Sequence, residues 1–494
     1  MKHGFGEPGV VGDRTIKTIS ISSLCVIFAT SLLTYGYFRN EPGHNGRSRM
    51  GLVRALVEEG TTHFDRIHEE IRDKSYFRGH YYSDKAPGTS FLAVPVYAAY
   101  FAWLKATLGE TGARDWADRN AFRRGLYLVN VATNAIPSAL AVMFFFLVAT
   151  ELAGDRRRAL FATAALGLGS LAFPYSTLFF GHALTAALLF LSFGLLARER
   201  RRGRVLRVPW RRWPLALAGV VAGYAAITEF PAAVPVLLIG LYLIWVVPNR
   251  RLIILFVLGV LLWAPLLMSY NRASFGSFFG VGYANIAGQV FAEGVAQGFL
   301  GFTYPKLPVL VEIIFGGFRG LLPLSPVFVL SPLGFRRMWV GKVLRPELIL
   351  CAAIVSSYLL LNASYVFWHG GGSLGPRHAV AMLPFLALPI AFALGQKIAV
   401  PGVLLVVSAI QMLAATAVNP VVPTDYANTL FHYVYPRLLD TRVALERGKA
   451  NWGAALGLRG WATLLPLLII WAAATLFLVV QERRIGDRSQ DTRE

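Results

Sequence analysis

Residues 80–88, HYYSDKAPG, place two adjacent charges in a turn ahead of an apolar segment. Asp84 and Lys85 lie between Tyr82 and a Pro-Gly pair. A lysine beside a turn with free backbone N–H groups could bind a phosphate group. A helix-start turn with a snorkelling lysine would use the same residue types. The residues alone leave both interpretations open.

Residues 368–378, WHGGGSLGPRH, form a second polar segment ahead of an apolar one. Three consecutive glycines allow the backbone to approach a ligand closely. Arg377 follows them at the outer end of a predicted span, where an arginine does not set topology. We therefore favour a ligand-binding role over an interfacial anchor beside Trp368. His369 and His378 flank this arginine and are further candidates for the pocket.

Two outer turns carry single ionisable groups. His182 ends the turn that begins at Phe173, and could act as an acid, a base or a hydrogen-bond donor. A histidine satisfied between helices is an equal alternative. Glu229 precedes Phe230-Pro231, and a carboxylate at a membrane edge is costly unless it is paired or solvated. It could be a base, or the partner of Arg377 or Lys85.

Metal and disulfide chemistry find little support in the sequence. His63 and His68 are five residues apart, a poor spacing for one helix face. The two cysteines, Cys25 and Cys351, both lie in apolar runs, which excludes a disulfide framework and a cysteine metal site. We assign no metal ligands and no cofactor, and leave a divalent cation open.

Apolar segments of about 18–25 residues, the length that crosses a bilayer, must position these groups. The chain is 55% hydrophobic, with a mean hydropathy of +0.52. Short basic connectors stay in the cytoplasm, and the basic connectors are Arg156-Arg157-Arg158, Arg198 to Arg212, Arg250-Arg251, Arg336-Arg337 and Arg483-Arg484. The net charge of +21 therefore reflects mainly topology, and we predict no nucleic-acid partner.

We predict an all-α polytopic membrane protein with about twelve transmembrane helices. The predicted spans are 16–38, 124–150, 159–177, 182–197, 214–228, 231–248, 252–270, 319–335, 347–366, 377–395, 398–418 and 461–480. The predicted regions are a cytoplasmic N-terminus 1–15, a transmembrane domain 16–418 with external loops 39–123 and 271–318, a third external loop and last span 419–480, and a cytoplasmic tail 481–494.

The first external loop contains two helical patterns. Gly88–Thr107 is apolar enough to span, but a crossing there would put every later arginine cluster outside. We therefore predict that it lies at the outer interface. Met50, Val53, Leu56 and Val57 recur at helical spacing with Arg54, Glu58 and Glu59 on other faces, which is typical of an amphipathic interfacial helix.

These features resemble the bacterial multispanning glycosyltransferases of the GT-C fold, kin of protein O-mannosyltransferases and lipid A aminoarabinose transferases. The resemblance covers about residues 16–395 by layout. The turn from Tyr82 to Pro87 resembles the family's aromatic–acid–Lys–Pro-Pro turn, with Ala86 replacing the first proline. The resemblance implies that Lys85 contacts the phosphate of a polyprenyl-phosphate sugar donor and that Arg377 is the family's late phosphate-binding arginine.

The catalytic acid departs from the family pattern. The segment from Arg54 to Gly60 resembles the interfacial helix that follows this acid, which places the acid near Asn45-Gly46. An amide has no basic form at physiological pH, so another carboxylate is needed. Glu41 is one substitute. The favoured ones, in order, are Asp84, Asp65 and Glu229, with His182 next.

The resemblance implies a glycosyltransferase that moves a sugar from a polyprenyl-phosphate donor to a glycan, lipid or protein acceptor. The reaction would take place at the outer face of a bacterial inner membrane. Two alternatives stay open. A transporter or flippase of lipid-linked sugars predicts ionisable residues at the bilayer midplane, whereas an inactive family member is suggested by Asn45.

Overall fold

The computed structural model describes residues 19–342, 344–396, 398–440 and 451–491. The predicted cytoplasmic N-terminus, 1–15, lies outside the described residues. So do 441–450 of the predicted third external loop and 492–494 of the predicted tail.

The described residues are mainly helical. Helices of eight residues or more are α1 Ile21–Gly36, α2 Gly43–Arg54, α3 Gly88–Asn120, α4 Ile136–Ala153, α5 Arg156–Gly167, α6 Gly181–Leu206, α7 Arg212–Thr228, α8 Ala233–Val246, α9 Ile253–Leu261, α10 Ala264–Phe275, α11 Leu307–Phe315, α12 Ser331–Val340, α13 Arg345–Ser364, α14 Ala399–Val418 and α15 Leu465–Asp491. Shorter helices are Leu126–Asn130, Ala172–Ser176, Gln289–Val295, Leu321–Leu324, Leu383–Ala387, Ile390–Ala393, Tyr435–Leu439 and Trp452–Ala455. Strands β1 Ser75–Phe77 and β2 His80–Tyr82 form an antiparallel hairpin.

Seven helical stretches of the described chain are long and apolar enough to cross a membrane. They are Gly88–Asn120, Phe122–Ala153, Gly181–Leu206, Arg250–Phe275, Arg345–Ser364, Ala399–Val418 and Gly460–Arg483. Ile21–Gly36 and Phe230–Val246 are shorter apolar helices. The prediction of an all-α multispanning membrane protein is confirmed, whereas about twelve full-length spans are not found.

Proline explains why some predicted spans are interrupted. The predicted span 377–395 begins with the 3-10 helix Arg377–Met382 and continues as two short helices that start at Leu383 and Ile390. Pro384 and Pro389 fall at these helix starts, where a missing N–H and a fixed φ are tolerated. In the predicted span 319–335, prolines likewise divide the chain into short pieces before α12.

The stretch Gly88–Asn120, which contains the segment Gly88–Thr107 predicted to lie at the outer interface, is long and apolar enough to span. Its backbone leaves the helical conformation at Gly109, which has φ 72° and ψ 174°. Glycine adopts positive φ without the steric cost that a Cβ would bring. The position of this stretch relative to the membrane stays a prediction.

Helices α7 and α9 pack with their backbones in close contact, because small residues line the seam. A Cβ built on Gly219 would lie 2.1 Å from the carbonyl oxygen of Phe256, and one on Gly223 would lie 2.4 Å from that of Val260. From the other side, a Cβ on Gly259 would lie 2.6 Å from the oxygen of Ala216. Small residues at such seams let membrane helices approach closely enough for van der Waals packing.

Helices α1 and α15 are neighbours and are joined by polar side chains. Trp471 donates its indole N–H to Thr34 Oγ1 at 2.8 Å, and Ser23 donates its hydroxyl to Gln481 Oε1 at 2.6 Å. Glu482 forms an ion pair with Arg156, with 2.7 Å between the carboxylate oxygen and the guanidinium nitrogen. Thr34 and Trp471 both lie in predicted spans, so their bond stabilises the pair where the bilayer core offers no water as a partner.

Helix α2 differs from the predicted amphipathic helix in its burial. Met50 and Val53 are fully buried, as the pattern requires, but Arg54 is also only 1% exposed. Arg54 donates to Glu58 at 2.7 Å and to Asp118 at 2.6 Å, and Tyr97 of α3 donates its hydroxyl to Glu58 at 2.6 Å. The charged face is therefore covered by α3 and neutralised there, which hydrophobic periodicity cannot reveal.

The α7–α9 seam predicts a sharp size limit. Gly219→Leu would force the two backbones apart, and overpacking of this kind costs about 1–3 kcal/mol. We expect a lower thermal unfolding midpoint in detergent, measured by the loss of the monodisperse peak after heating. Gly402→Leu is the matched control, because no heavy atom lies within 4 Å of its built Cβ. Equal midpoints for both variants would contradict a tight seam.

The predicted orientation gives a labelling experiment. In a variant whose exposed Cys25 is replaced by serine, Arg114→Cys should react with an impermeant thiol reagent applied from outside. The Arg114 side chain is 42% exposed, so access does not limit the reaction. Arg204→Cys, in the basic connector, should react only after permeabilisation. Labelling of position 114 from the cytoplasmic side alone would overturn the orientation.

Candidate functional site

A cavity of about 1420 Å³, called the open cavity below, lies between residues 43–85 and the glycine segment, residues 370–375, which follows α13. Lys85 and Arg377 both line it, although 292 positions of sequence separate them. A second cavity of about 950 Å³, called the deeper cavity because it reaches Thr185 within α6 and Leu361 within α13, adjoins it. The two share Asn45, Tyr283, Tyr365, Arg377 and His378 in their walls.

Lys85 is held by two carboxylates rather than one. Its side chain is 8% exposed, and its ammonium lies 2.7 Å from Asp84 and 3.0 Å from Asp73. Burial alone would lower the lysine pKa, but the two carboxylates outweigh it and raise the pKa above its usual range. The hairpin sets this geometry, because β2 ends at Tyr82 and leads directly into the Ser83-Asp84-Lys85 turn. Ser48 of α2 donates its hydroxyl to Asp84 at 3.0 Å.

Asp73 is a site residue that the sequence did not single out. It lines the open cavity and is 22% exposed. Burial would raise the pKa of its carboxyl, but the Lys85 ammonium prevails and lowers it, and the charge of Arg377 acts in the same direction. The sequence signal that could have found it is its place next to strand β1, which the hairpin folds back beside Lys85.

Arg377 is a cation without a carboxylate partner among the described residues. Its guanidinium lies 5.7 Å from the centre of the Phe180 ring, and its buried Nε makes no hydrogen bond. Gly370 allows this position: it has φ +71°, and a Cβ there would lie 2.7 Å from Arg377 Nε. The glycines therefore let the backbone approach the Arg377 side chain closely.

Arg319, which the sequence did not single out, holds the glycine segment in place. It is fully buried, and its guanidinium donates to the carbonyl oxygens of Gly371 at 3.0 Å and Val422 at 3.2 Å. It also donates to Thr429 Oγ1 at 3.3 Å and stacks 4.2 Å from the Phe318 ring centre. An arginine can be buried when carbonyl oxygens accept from it, and here they satisfy the terminal nitrogens, whereas the buried Nε makes no hydrogen bond.

Glu229 lines the deeper cavity, and its carboxylate is paired. Arg49 of α2, which is 1% exposed, lies 2.6 Å from it. His182 Nδ1 lies 3.7 Å from the same oxygen. Arg49 also donates to Asn45 Oδ1 at 3.1 Å. The predicted partner of Glu229 was Arg377 or Lys85, so this part of the prediction is wrong: the partner is Arg49.

Position 45, where the family pattern expects an acid, does lie in the walls of both cavities. Helix α2 places Asn45 there, with Arg49 one turn later. Position 45 therefore lies at both cavities, and the residue there is an amide.

Asp65 lines neither cavity. Its Oδ2 accepts from His80 Nδ1 at 2.6 Å, and its Oδ1 accepts from the backbone N–H of Tyr81 at 2.7 Å. These two bonds hold the predicted base Asp65 against the hairpin and not in a cavity wall. Tyr82, also predicted for the pocket, lines neither cavity, and its ring lies 5.3 Å from that of Phe275.

The remaining predicted pocket residues do reach the cavities. His182 and His378 line the deeper one, with ring centres 5.9 Å apart. His369 lines the open one, and its Nδ1 accepts from the N–H of Gly371 at 2.9 Å. Burial first, and then the charges of Arg319 and Arg377, lower the pKa of His369, so this ring is neutral near pH 7.

No protein-family model matches the chain, and neither does any curated protein. Among solved structures, the chain is similar to ArnT from Cupriavidus metallidurans bound to undecaprenyl phosphate, with 13% identity, a TM-score of 0.51, and 94% of this chain and 72% of that chain covered. It is also similar to the apo state of that ArnT, with 18% identity, a TM-score of 0.49, and 92% and 71% covered.

A third similar structure is the oligosaccharyltransferase of Archaeoglobus fulgidus in the apo form, with 11% identity, a TM-score of 0.43, and 87% of this chain and 58% of that chain covered. At these identities a likeness speaks for architecture alone. The likeness to the ligand-bound ArnT structure confirms the fold that the resemblance in sequence implied. This chain is an all-α multispanning membrane protein with a GT-C-like fold.

Proposed function

We propose that this protein is a glycosyltransferase that takes its sugar from a polyprenyl-phosphate donor at the outer face of the membrane. The observation that carries the proposal is Arg377, a cation on a cavity wall without a carboxylate partner among the described residues. Lys85 lines the same cavity, so two cations from distant parts of the chain face one space. Such a pair suits a phosphate that leaves with negative charge.

Lys85 and Arg377 differ in whether a carboxylate neutralises them. Lys85 is already neutralised by Asp73 and Asp84, so it can position a ligand oxygen without leaving a bare buried charge. Arg377 has no such counter-charge, and a guanidinium binds phosphate oxygens through two parallel hydrogen bonds. The donor phosphate would therefore supply the charge that Arg377 lacks.

The deeper cavity suits the lipid part of such a donor. Its walls include Leu300, Phe302, Leu361 and Ala381 beside the shared polar edge at Arg377. An isoprenoid chain could lie against these apolar side chains while its phosphate stays at the edge. The similar ArnT structure is bound to undecaprenyl phosphate, and we propose the same class of lipid phosphate here.

The base is proposed to be Asp73 in place of the missing acid at position 45. A base must reach the acceptor hydroxyl within hydrogen-bond distance, directly or through one water. Asp73 and Asp84 both line the open cavity and both pair with Lys85, but Asp73 is 22% exposed, whereas Asp84 is 6% exposed and also accepts from Ser48. Glu229 is the second candidate, because it lines the deeper cavity, although Arg49 already holds it.

A lipid-phosphate-binding protein without transferase activity is the second candidate function, and Asn45 favours it. A flippase has less support. The buried Arg200–Glu347 pair joins α6 to α13 near the predicted cytoplasmic ends of these helices, not at their middle. Ionisable groups in a transport path are expected near the midplane.

The cation pair predicts a loss of donor binding. Arg377→Gln and Lys85→Met should each weaken binding of undecaprenyl phosphate by about ten- to a hundredfold, because a charge-assisted hydrogen bond contributes about 1.5–3 kcal/mol. Binding can be measured by native mass spectrometry in detergent. Lys105→Met is the control, since Lys105 is paired with Glu110 on an exposed surface. Unchanged binding in both cavity variants, at normal expression, would remove them from the site.

The base predicts a difference between two amide exchanges. With a panel of polyprenyl-phosphate sugars, wild-type protein should consume one donor, and Asp73→Asn should lose turnover while donor binding survives. Asp65→Asn is the matched control and should keep turnover, since Asp65 lines neither cavity. Full turnover in the Asp73 variant would make Glu229 the candidate. Turnover that appears only in Asn45→Asp would instead support an inactive lipid-binding member.

A further inference from the structure

A cluster of two imidazoles and one carboxylate lies outside the cavities, on the far side of the β1–β2 hairpin. Side-chain donor atoms of His63, Asp65 and His80 all lie within 4.8 Å of one another. The Asp65 Oδ2 oxygen is 2.9 Å from His63 Nδ1 and 2.6 Å from His80 Nδ1. We infer that these three side chains form a site for a divalent transition-metal ion such as Zn²⁺.

The backbone builds this cluster from two parts of the chain. A hairpin turn with positive φ at Arg78 and Gly79, typical of a two-residue type I′ connection, places His80 at the start of β2. His63 pairs with Tyr82 in an antiparallel bridge, and the N–H of Phe64 donates to the Tyr81 carbonyl at 2.9 Å. Both histidines are therefore fixed by main-chain hydrogen bonds on the same side of the hairpin.

The orientation of each donor fits metal binding. The N–H of Tyr81 holds Asp65 Oδ1 at 2.7 Å, which leaves Oδ2 facing the two rings. His63 Nδ1 is buried and makes no hydrogen bond, although Oδ2 lies 2.9 Å away. An ion between the three atoms would use this lone pair. A backbone bond that orients a liganding carboxylate is the usual second layer of such sites.

The donor set also selects the class of ion. Imidazole nitrogens favour zinc and its neighbours over Mg²⁺ or Ca²⁺, which prefer oxygen. Zinc with three protein ligands takes water as the fourth, and the side chains are 29%, 37% and 46% exposed for His63, Asp65 and His80, so water can reach it. Ligands at about 2.0–2.1 Å from a tetrahedral ion stand farther apart than these hydrogen-bonded atoms, so each would shift by about half an ångström.

The test uses the full-length chain purified in detergent through a tag without histidines. After removal of metal with a chelator, Zn²⁺ alone is titrated against a chromophoric competitor. We expect one equivalent bound per chain with micromolar or tighter affinity. His63→Gln, Asp65→Asn and His80→Gln should each weaken binding by more than about a hundredfold, beyond the effect of losing a supporting residue.

His68→Gln is the matched control. His68 stacks on Tyr81 at 4.0 Å on the same hairpin but is outside the cluster, so its variant should bind like the wild type. The wild type should also unfold at a higher temperature with Zn²⁺ than with chelator, a readout that needs no variant to fold. Only millimolar binding by the wild type, or equal affinity in all four variants, would overturn the site and leave a hydrogen-bonded His-Asp-His cluster.

Discussion

A charge can leave water only if the protein supplies its partner, and the Lys85 ammonium meets this condition through Asp73 and Asp84. Asp73 precedes β1 and Asp84 follows β2, so the two carboxylates meet at the open end of the hairpin. The second is also held by Ser48 of α2. The hairpin, the turn and α2 are therefore fixed together around one buried cation, and the outer wall of the cavity follows from that arrangement.

The opposite wall solves the same problem with a different donor set. Arg319 is buried among backbone carbonyl oxygens instead of carboxylates, so it orders the glycine segment without cancelling its own charge. Arg377, which that segment carries into the cavity, has no carboxylate partner among the described residues either. One wall is thus nearly neutral and the other is cationic. In the proposed function, this asymmetry would favour an anion in the space between the two walls.

The sequence predicted those parts of the site that are local in the chain. Lys85 and Arg377 stand in turns rich in proline or glycine, and such turns can be recognised without knowing their partners. Arg49 and Arg319 could not be recognised in the same way, because their significance comes from contacts with residues far away in sequence. Asp73 meets Lys85, 12 positions later, because the β1–β2 hairpin brings the two together. Hydropathy found the helices but not their interruptions, since prolines such as Pro384 and Pro389 reset the helix while leaving the apolar average unchanged.

Asn45 marks the limit of inference from resemblance. The layout placed the catalytic acid at this position, and α2 does bring position 45 to the cavity walls, but the side chain there is an amide held against Arg49. The resemblance therefore speaks for the location of position 45 and not for the chemistry of its side chain. Another acid, Asp73, lines one of these cavities, whereas the carboxylate of Glu229 is already paired with Arg49.

The pairing of α1 with α15 bears on how the protein is made. A ribosome releases α1 into the bilayer long before α15 exists, and until then Ser23 and Thr34 lack the partners that Gln481 and Trp471 later provide. Thr34 meanwhile donates its hydroxyl to the Thr30 carbonyl of its own helix at 2.7 Å, so this group has a partner in lipid before α15 is made. Pairing of α1 with α15 then follows the synthesis of every helix between them.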